Sequence, residues 1–342
     1  MGVLMKYLIS PQKRQFKANL HCHSVLSDGK LTPEQLKAAY KDHGYSILAI
    51  TDHEHPFDHS DLSDEDFLML TGYEAYIRPD FNNLYDKFNP EIHINLLAKD
   101  PHNTAIVGYA RECIKYMPDE ELDRAVKLGP KEKRRYTPGY VNRFIEVAKE
   151  NGYLAAYNHP YWSLEDMSDI MGYRGFFSME MCNYSSFLQN RLEYNGQIYD
   201  ALLRRGTRIA CHSADDNHNK EPFGSPKSDS FGGATQILAD DLSYESVIRA
   251  LEKGDFYSTM GPEIYEVSVS EGVARIHCSP ADVIIMHDGS KQPFAFYAEK
   301  GGKIAEATAP IRDEAPYIRF TVMTDGYRFA DTRGFFRDEF DF

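Results

Sequence analysis

The sequence is poor in regularly spaced cysteines and in long apolar runs, and each shortage excludes a class of protein. The five cysteines are odd in number and show no CxxC spacing, which disfavours a disulfide scaffold and a thiolate zinc site. No apolar run approaches the roughly 20 residues of a membrane-spanning helix. The N-terminal MGVLMKYLISPQKRQF lacks the apolar length and the small-residue cleavage site of a signal peptide. We therefore expect a cytoplasmic protein with reduced thiols and no membrane partner.

Basic residues are outnumbered, 38 against 52 acidic ones. The formal net charge is −14 and the pI about 5.4, which disfavours binding to a nucleic-acid polymer or an anionic membrane. A small anionic substrate remains compatible, because bound cations reverse the field inside one pocket. The hydrophobic share of 42% over 342 residues is enough for a sizeable core.

Short apolar runs alternate with helical patterns up to about residue 262. LTPEQLKAAYKDHG predicts a helix with Thr32 as N-cap and Gly44 as its end, and TPGYVNRFIEVAKENG repeats this arrangement. Strands alternating with helices predict parallel βα units, and seven strands favour a barrel over an open sheet. The predicted strands are Ala18–Leu20, Ile47–Ile50, Phe67–Thr71, Ile92–Ala98, Leu154–Tyr157, Phe177–Met181 and Arg208–Cys211.

Two other regions differ from this alternation. The charged stretch 111–136, which contains KEKRR, is interpreted as an insertion with a solvated face, the alternative being a lid over a substrate. From residue 263 the pattern changes to two-residue alternation between glycine-containing turns, which is typical of a small antiparallel β-sandwich. We therefore predict two domains, 1–262 and 263–342, the second being a packing or dimer-forming appendage; a sugar-binding role is the alternative.

Histidines and carboxylates recur at or near the ends of the predicted strands. Where βα units form a barrel, these ends converge on one face, and active sites form there. In the HCH of residues 21–23, alternation places both imidazoles on one side of the strand, with Cys22 packing on the other. The candidate metal ligands are His21, His23, Asp28, His53, Glu74, His93, His159, Asp216 and His218.

Imidazole nitrogens and carboxylate oxygens suit Zn²⁺, Mn²⁺ or Fe²⁺. Any one of these histidines alone would be read as an ordinary buried residue, but six histidines and three carboxylates in step with successive strand ends favour a metal site. Nine ligands are too many for one tetrahedral ion. They predict two or three divalent ions that share bridging carboxylates, of which Glu74 is one.

The same residues carry a family resemblance. ANLHCHSVLSDG, LAITDH, GYE, IHINLLA, NHP and DNH resemble, in order and spacing, the motifs of the PHP (polymerase and histidinol phosphatase) family over residues 16–262. The resemblance implies a distorted seven-stranded (β/α) barrel with a trinuclear metal site, followed here by the small antiparallel β domain. The Asp-x-His spacing selects Asp216 rather than Asp215 as a ligand.

Carried over residue by residue, the resemblance implies three metal positions. The first would be held by His21, His23, Glu74 and Asp216, the second by Glu74, His93 and His159, and the third by Asp28, His53 and His218. The family is known for hydrolysis of phosphate esters, in which the ions activate a bridging water. Glu74 and Asp216 are the candidate catalytic groups, and either Asp216 or a nearby histidine would pass a proton to the leaving group.

The expected activity is therefore that of a phosphoesterase acting on a small phosphorylated metabolite or nucleotide. Arg78, Arg191, His55 and His212 are candidate substrate-binding residues. Two alternatives remain open: an amidase or carboxyl-ester hydrolase with the same metal centre, and a non-catalytic binding or accessory module. The edge strands of the C-terminal domain would suit a homo-oligomer.

Overall fold

The computed structural model describes residues 5–79, 87–129 and 133–340. Within these ranges a large mixed sheet dominates the molecule, with helices on the outside. The helices are α1 Pro33–Asp42, α2 Asp119–Arg124, α3 Pro138–Glu150, α4 Met167–Ile170, α5 Tyr184–Asn190, α6 Gly196–Arg204 and α7 Tyr244–Lys253. None of these described helices has the length and apolar character that a membrane crossing requires.

The strands are numbered in chain order. They are β1 Lys6–Ile9, β2 Arg14–Asn19, β3 Ile47–Ile50, β4 Leu68–Ile77, β5 Ile92–Ala98, β6 Ile106–Val107, β7 Lys127–Leu128, β8 Tyr153–Tyr157, β9 Ser178–Asn183, β10 Ala210–Ala214, β11 Ala234–Ala239, β12 Phe256–Thr259, β13 Ile264–Ser270, β14 Val273–Ala281, β15 Val283–His287, β16 Phe294–Tyr297, β17 Ile304–Pro310, β18 Tyr317–Thr324, β19 Arg328–Thr332 and β20 Phe335–Phe336. Three short 3₁₀ turns occur in these ranges, at Ser60–Leu62, Arg111–Cys113 and Arg337–Glu339.

The two helices predicted from their caps are confirmed. Thr32 accepts a hydrogen bond from the backbone N–H of Gln35, whose side chain bonds back to the cap, which makes a capping box at the start of α1. Thr137 caps α3 by accepting a hydrogen bond from the backbone N–H of Tyr140. Gly44 follows α1 with φ +75°, a conformation that side-chain-bearing residues rarely adopt.

All seven predicted strands of the N-terminal region are present, but they are not all parallel. In sheet order they are β10-β9-β8-β5-β4-β3-β2, and β5 runs antiparallel to both β4 and β8. The described residues between β4 and β5, 78–79 and 87–91, contain no helix to carry the chain back across the sheet. The expectation of uniformly parallel units is therefore wrong at β5, which begins at the edge where its neighbours end.

The two ends of this seven-strand run meet just beyond β2 and β10. The backbone N–H of His23 donates to the carbonyl of Asn217 at 3.1 Å, and that of Asp216 donates to His21 at 2.9 Å. These bonds form an isolated parallel bridge between Cys22 and Asn217. The closed, distorted barrel stays a prediction, since a continuous ladder does not join β10 to β2 in the described structure.

The C-terminal region is antiparallel, as predicted, but its strands divide between two sheets. One is the four-stranded sheet β1-β13-β14-β17, to which the N-terminal β1 contributes an edge. The others, β19-β18-β15-β16 with β20 on β18, continue the large sheet beyond β11 and β12, two strands that precede residue 263 and follow β2 in sheet order. A single buried cluster joins Ile9, Leu238 and Tyr257 to apolar residues of these strands. The domain boundary at 262/263 stays a prediction, and pairing of β12 with β19 crosses it.

The charged insertion is not simply a solvated face. Ile114, Met117 and Leu122 are buried together, and Arg134 is only 2% exposed. Part of the KEKRR run, residues 131 and 132, lies outside the described residues. The apolar side chains interleaved with the charges pack with Ile106 of β6, and Arg134 donates to the carbonyl of Tyr76 in β4.

Candidate metal centre

The nine predicted ligands lie together at one end of the seven-strand run. His21 and His23 follow β2 and turn to the same side, with their Nε2 atoms 3.3 Å apart, while Cys22 packs on the other side with Leu36 and Tyr40. His53 follows β3 and forms a parallel bridge with Glu74. Because β5 is reversed, His93 near its beginning reaches the same edge.

Glu74 lies at the centre of the cluster. It is in the middle of β4 rather than at a strand end as predicted, because β4 continues to Ile77. Oε1 of Glu74 lies 3.2 Å from Nε2 of His21 and 3.0 Å from Nδ1 of His93, and Oε2 lies 2.8 Å from Nδ1 of His53. Nε2 of His159 is 3.3 Å from Oε1. A carboxylate in this position can bridge cations held by different histidines.

Asp216 and Asp28 complete the set. Oδ1 of Asp216 lies 3.0 Å from Nε2 of His23 and 3.3 Å from Nε2 of His21. Oδ1 of Asp28 lies 3.3 Å from Nε2 of His218 and 3.7 Å from Nε2 of His53.

Asp215 lies outside the cluster of donors. Its carboxylate accepts hydrogen bonds from the backbone of Phe231, Gly232 and Gly233 and from the Tyr40 hydroxyl. Its role is therefore to hold the loop that follows β10, and the placement agrees with the spacing argument for Asp216.

The donor atoms fit divalent cations. Three groups of side chains each bring ligand atoms within 4.8 Å of one another: His23 with Asp28, His53 and His218; His21 with His23 and Asp216; and His53 with Glu74 and His93. Oδ1 of Asp28, Nδ1 of His53 and Nε2 of His93 are buried without a well-aligned hydrogen bond in the described chain. Such atoms are costly unless something else binds them. The third of these groups differs from the second metal position that the family resemblance implies, because it joins His53 instead of His159 to Glu74 and His93.

The electrostatics of the cluster agree with a cation site. Burial by itself lowers the pKa of His21, but the surrounding carboxylates, Asp216 foremost, raise it well above its ordinary value. Against the same burial penalty, Glu74 raises the pKa of His93 to about 10. Burial and the imidazoles of His218 and His53 lower that of His23 to about 4. The carboxylates thus draw protons, or other cations, into the cluster.

A second layer of side chains, not predicted from the sequence, orients the ligands. The buried Glu180 of β9 accepts a hydrogen bond from Nδ1 of His21 at 2.8 Å and from the backbone N–H of His159 at 2.8 Å. Asn158 donates to Oε1 of Glu74 at 2.8 Å, and Asn183 donates to Asp216 at 3.1 Å. The one sequence signal for Glu180 was a charged residue inside an otherwise apolar strand.

The cluster forms the floor of a cavity of about 680 Å³. The walls come from the end of β4 and the segment after it, from the insertion, from the segment after β8, from α5 and from the loop after β10. Beyond the candidate ligands they include Tyr76, Arg78, Glu91, Lys115, Tyr116, Trp162, Ser185, Ser186, Leu188, Gln189, Arg191, Lys220, Glu221, Pro226, Lys227 and Asp229. Five of these wall residues carry positive charge and three carry negative charge, in a chain whose net charge is −14.

The four predicted substrate-binding residues divide into two pairs. Arg78 and Arg191 line the cavity, and Arg78 also pairs with Glu91 at 2.6 Å. His55 and His212 are not among the lining residues. His55 is buried against Glu121 at 3.0 Å. His212 lies beneath the site, with Nδ1 2.8 Å from the Ser178 hydroxyl, and burial lowers its pKa to about 4. Their predicted contact with substrate is therefore not supported by their positions.

The comparisons with known proteins agree with the motifs. A family model described as the PHP domain matches residues 19–159. Residues 19–159 thus match the PHP domain, and over these residues the resemblance predicted from the motifs is confirmed. No curated protein matches the chain. The PHP domain and its donor set together support a metal-dependent hydrolase.

Three solved structures resemble the chain at low identity. A two-domain protein from Bacteroides vulgatus ATCC 8482, containing a predicted PHP-like metal-dependent phosphoesterase, is 14% identical, with 98% of both chains covered and a TM-score of 0.44. An inferred metal-dependent phosphoesterase from Bifidobacterium adolescentis ATCC 15703 is 16% identical over 68% of this chain and 94% of its own, with a TM-score of 0.38. An amidohydrolase from Chromobacterium violaceum, with bound sulfate and no metal, is 17% identical over 59% and 87%, with a TM-score of 0.37.

Proposed function

We propose that this protein is a metal-dependent phosphoesterase that hydrolyses a small phosphorylated metabolite or nucleotide. The observation that carries the proposal is the position of the donor cluster. Six histidines and two further carboxylates gather around Glu74 at the floor of a cavity whose walls carry five cationic side chains. Such a cavity suits an anionic group, which can bind both to cations held by the cluster and to the positively charged side chains of the walls.

Two or three divalent ions of zinc, manganese or iron would occupy the cluster. His21, His23, Glu74 and Asp216 would hold the first ion, Glu74, His93 and His159 the second, and Asp28, His53 and His218 the third. When bound, such ions activate water for attack and stabilise negative charge on phosphoryl oxygens.

The chain's own residues would prepare this chemistry by orientation. Glu180 accepts from Nδ1 of His21, which leaves Nε2 of that ring directed at Glu74 and Asp216 and available as a ligand. Asn158 and Asn183 hold the carboxylates of Glu74 and Asp216 in place. Asp216 borders the cavity, and one of its carboxylate oxygens faces the cluster. Against the penalty of burial, the neighbouring imidazoles, His21 foremost, hold the pKa of Asp216 well below its ordinary value, so this carboxylate could pass on only a proton that it had first accepted. Asp216 in that role, or a nearby histidine, is our candidate for delivering a proton to the leaving oxygen.

The cationic wall residues would bind and orient the anionic substrate. Arg78 lies 4.6 Å above the Tyr76 ring, and Lys115 lies 5.7 Å from the same ring. Burial, with the charge of Arg78 next in importance, lowers the pKa of Lys115. Two cations that share one aromatic ring repel each other, and an anionic ligand relieves that repulsion. Arg191, Lys220 and Lys227 would serve the remainder of the substrate.

The first test combines metal content with phosphate release. We expect two to three metal ions per chain and phosphate release from a panel of monoesters and diesters after loading with manganese, zinc or iron. His21→Ala should lose at least one ion and its activity. His102→Ala is the matched control, because the His102 side chain is 73% exposed and pairs with Asp58, away from the cluster.

Three other outcomes would contradict the proposal in different ways. Bound metal without phosphate release, but with turnover of carboxyl esters or amides, would indicate a carbonyl hydrolase. Bound metal with no turnover of either class would indicate a binding or accessory module. No bound metal after loading would show that the ligand assignment is wrong. The cytoplasmic location, the C-terminal domain and its role in a homo-oligomer stay predictions.

A further inference from the structure

Trp162 is the single tryptophan of the chain, and it is fixed at the cavity wall. Its backbone N–H donates to Oε2 of the buried Glu193 at 2.7 Å, and the same carboxylate accepts from the N–H of Tyr161. Its ring packs edge-on against His159 and His93, with centroid distances of 4.8 and 5.4 Å. The side chain is nevertheless 37% exposed. A large aromatic ring is thus held rigidly beside two candidate ligands with part of its surface open to the cavity.

A second aromatic ring lines the same cavity. Tyr116, in the insertion, is 40% exposed, and its ring lies 6.3 Å from that of His53 with an interplanar angle of 23°. His53 and His93 are both neighbours of Glu74. Tyr116 therefore borders the Glu74 cluster on the side of His53, and Trp162 borders it on the side of His159. Aromatic rings at such positions offer flat surfaces for stacking.

We infer that Trp162 and Tyr116 bind a flat aromatic group of the substrate, so that this protein selects phosphoesters whose alcohol part carries an aryl ring or a nucleobase. The inference rests on the proposed function for the reaction, but it concerns binding and can be tested without turnover. Stacking on an aromatic side chain does not depend on which base is bound, because every base has a flat π face. The cationic residues would bind the anionic group of the substrate, and the two rings would determine which alcohol part is preferred.

The first experiment measures binding to the metal-loaded protein. Phenylphosphonate and butylphosphonate present the same anionic group with and without a ring, and neither can be hydrolysed at the P–C bond by this chemistry. We expect phenylphosphonate to change the fluorescence of Trp162 and to bind about tenfold more tightly. Tyr116→Leu should remove most of that preference and leave butylphosphonate affinity unchanged. For Trp162→Leu, which has no tryptophan, calorimetry replaces fluorescence.

Tyr161→Leu is the matched control. Tyr161 precedes Trp162, is 44% exposed and is not among the residues that line the cavity, so its replacement should change neither affinity. Equal affinity of the wild type for the two phosphonates would overturn the inference. So would equal losses for both ligands in the two ring variants, because that pattern reports a damaged site rather than a lost stacking surface.

Kinetics separate the inference from the proposed function. If phenyl and adenosine monophosphates are hydrolysed with kcat/KM about tenfold or more above butyl phosphate, and Trp162→Leu removes the difference, both are supported. If no phosphoester is hydrolysed but phenylphosphonate binds preferentially, the proposed function fails and the aromatic site stands. If all phosphoesters react equally in the wild type and in the variants, the inference fails and the phosphoesterase stands. A preference for adenosine over phenyl compounds would support the site and identify the nucleobase as its ligand.

Discussion

At the scale of single residues, Glu180 is the buried group with the most direct influence on the candidate metal centre. It bonds the ring of His21 and the backbone of His159, which are ligands of different proposed ions, and His159 has the strained φ of +23°. Loss of its charge would free the His21 ring to turn and would lower the basicity of Nε2. One side chain thus supports two metal positions.

We predict that Glu180→Gln weakens metal binding about 10- to 100-fold without unfolding the protein. The measurement is titration of the metal-free protein with zinc or manganese. Glu193→Gln is the control, because Glu193 is equally buried but bonds the backbone of residues 161 and 162 rather than a histidine ring. Metal affinity within twofold of wild type in Glu180→Gln would show that this carboxylate does not position the ligands.

A different residue makes stability depend on pH. Glu165 accepts hydrogen bonds from the hydroxyls of Tyr136, Tyr157 and Tyr173. Burial outweighs these bonds and raises its pKa to about 7 from 4.5. The folded protein therefore binds more protons than the unfolded chain between these values, and stability falls as pH rises from about 4.5 to about 7 and is constant above that. Glu165 is half-buried, so solvent screens part of the effect.

We predict that Glu165→Gln is more stable than the wild type at pH 8 by on the order of 2 kcal/mol. Near pH 4.5 the difference should shrink, because the wild-type carboxyl is then protonated in the folded state. Urea unfolding of both proteins across this range measures the difference directly and cancels the contributions of other titrating groups. A difference that stays constant from pH 4.5 to 8 would refute the assignment to Glu165.

At the scale of elements, one buried ion pair connects the insertion to the strands beneath the site. Arg134 pairs with Glu54 through both guanidinium nitrogens and donates to the carbonyls of Tyr76 and Gly108 at 2.7 and 3.0 Å. The backbone N–H of Glu54 in turn donates to the carbonyl of Glu74 at 2.8 Å. The insertion is thereby fixed to β4 next to the central carboxylate.

Breaking this pair should be costly. We predict that Arg134→Met lowers the free energy of unfolding by about 3–5 kcal/mol, because Glu54 would be left as an unpaired buried charge. The double variant with Glu54→Gln should recover part of the loss. Arg135→Met, at the exposed neighbouring position, should stay within about 0.5 kcal/mol of wild type. Chemical unfolding at pH 7 measures the free energy of unfolding of each variant. Equal losses in Arg134→Met and Arg135→Met would contradict the prediction.

The features that could be predicted from the sequence are those that depend on residues close together in the chain. The caps of α1 and α3 are local, and the positions of His21, His23 and His93 follow from apolar alternation and from the motifs. The direction of β5 could not be predicted, because a strand pattern reads alike in both directions. Glu180 meets His21 across 159 positions of the chain, and Trp162 gains its surroundings only when β8 and β5 pair. Roles that depend on such distant partners are visible only in the folded structure.

At the scale of the whole molecule, the chain before residue 263 and the C-terminal strands are not separate bodies. β12 pairs with β19, and β1 pairs with β13. The buried Arg319 of β18 bonds Asp200 of α6 at 2.8 Å and Asp331 of β19 at 3.0 Å, and the Tyr194 hydroxyl donates to Asp331 at 3.0 Å. A buried cation shared between two carboxylates couples the elements that hold them. We therefore expect the described chain to unfold as one cooperative unit.

Metal removal tests this coupling. An ion present at 100 times its dissociation constant stabilises the folded state by about 2.7 kcal/mol, so a chelator should lower Tm by about 4 °C for each ion removed. The fluorescence of Trp162 reports unfolding around the candidate metal centre, and calorimetry reports unfolding of the whole chain. Both should show a single transition that moves by the same amount and returns when metal is restored. Two calorimetric transitions, of which only one responds to metal, would instead show that the C-terminal strands unfold independently and that the contacts of Arg319 do not couple the two regions.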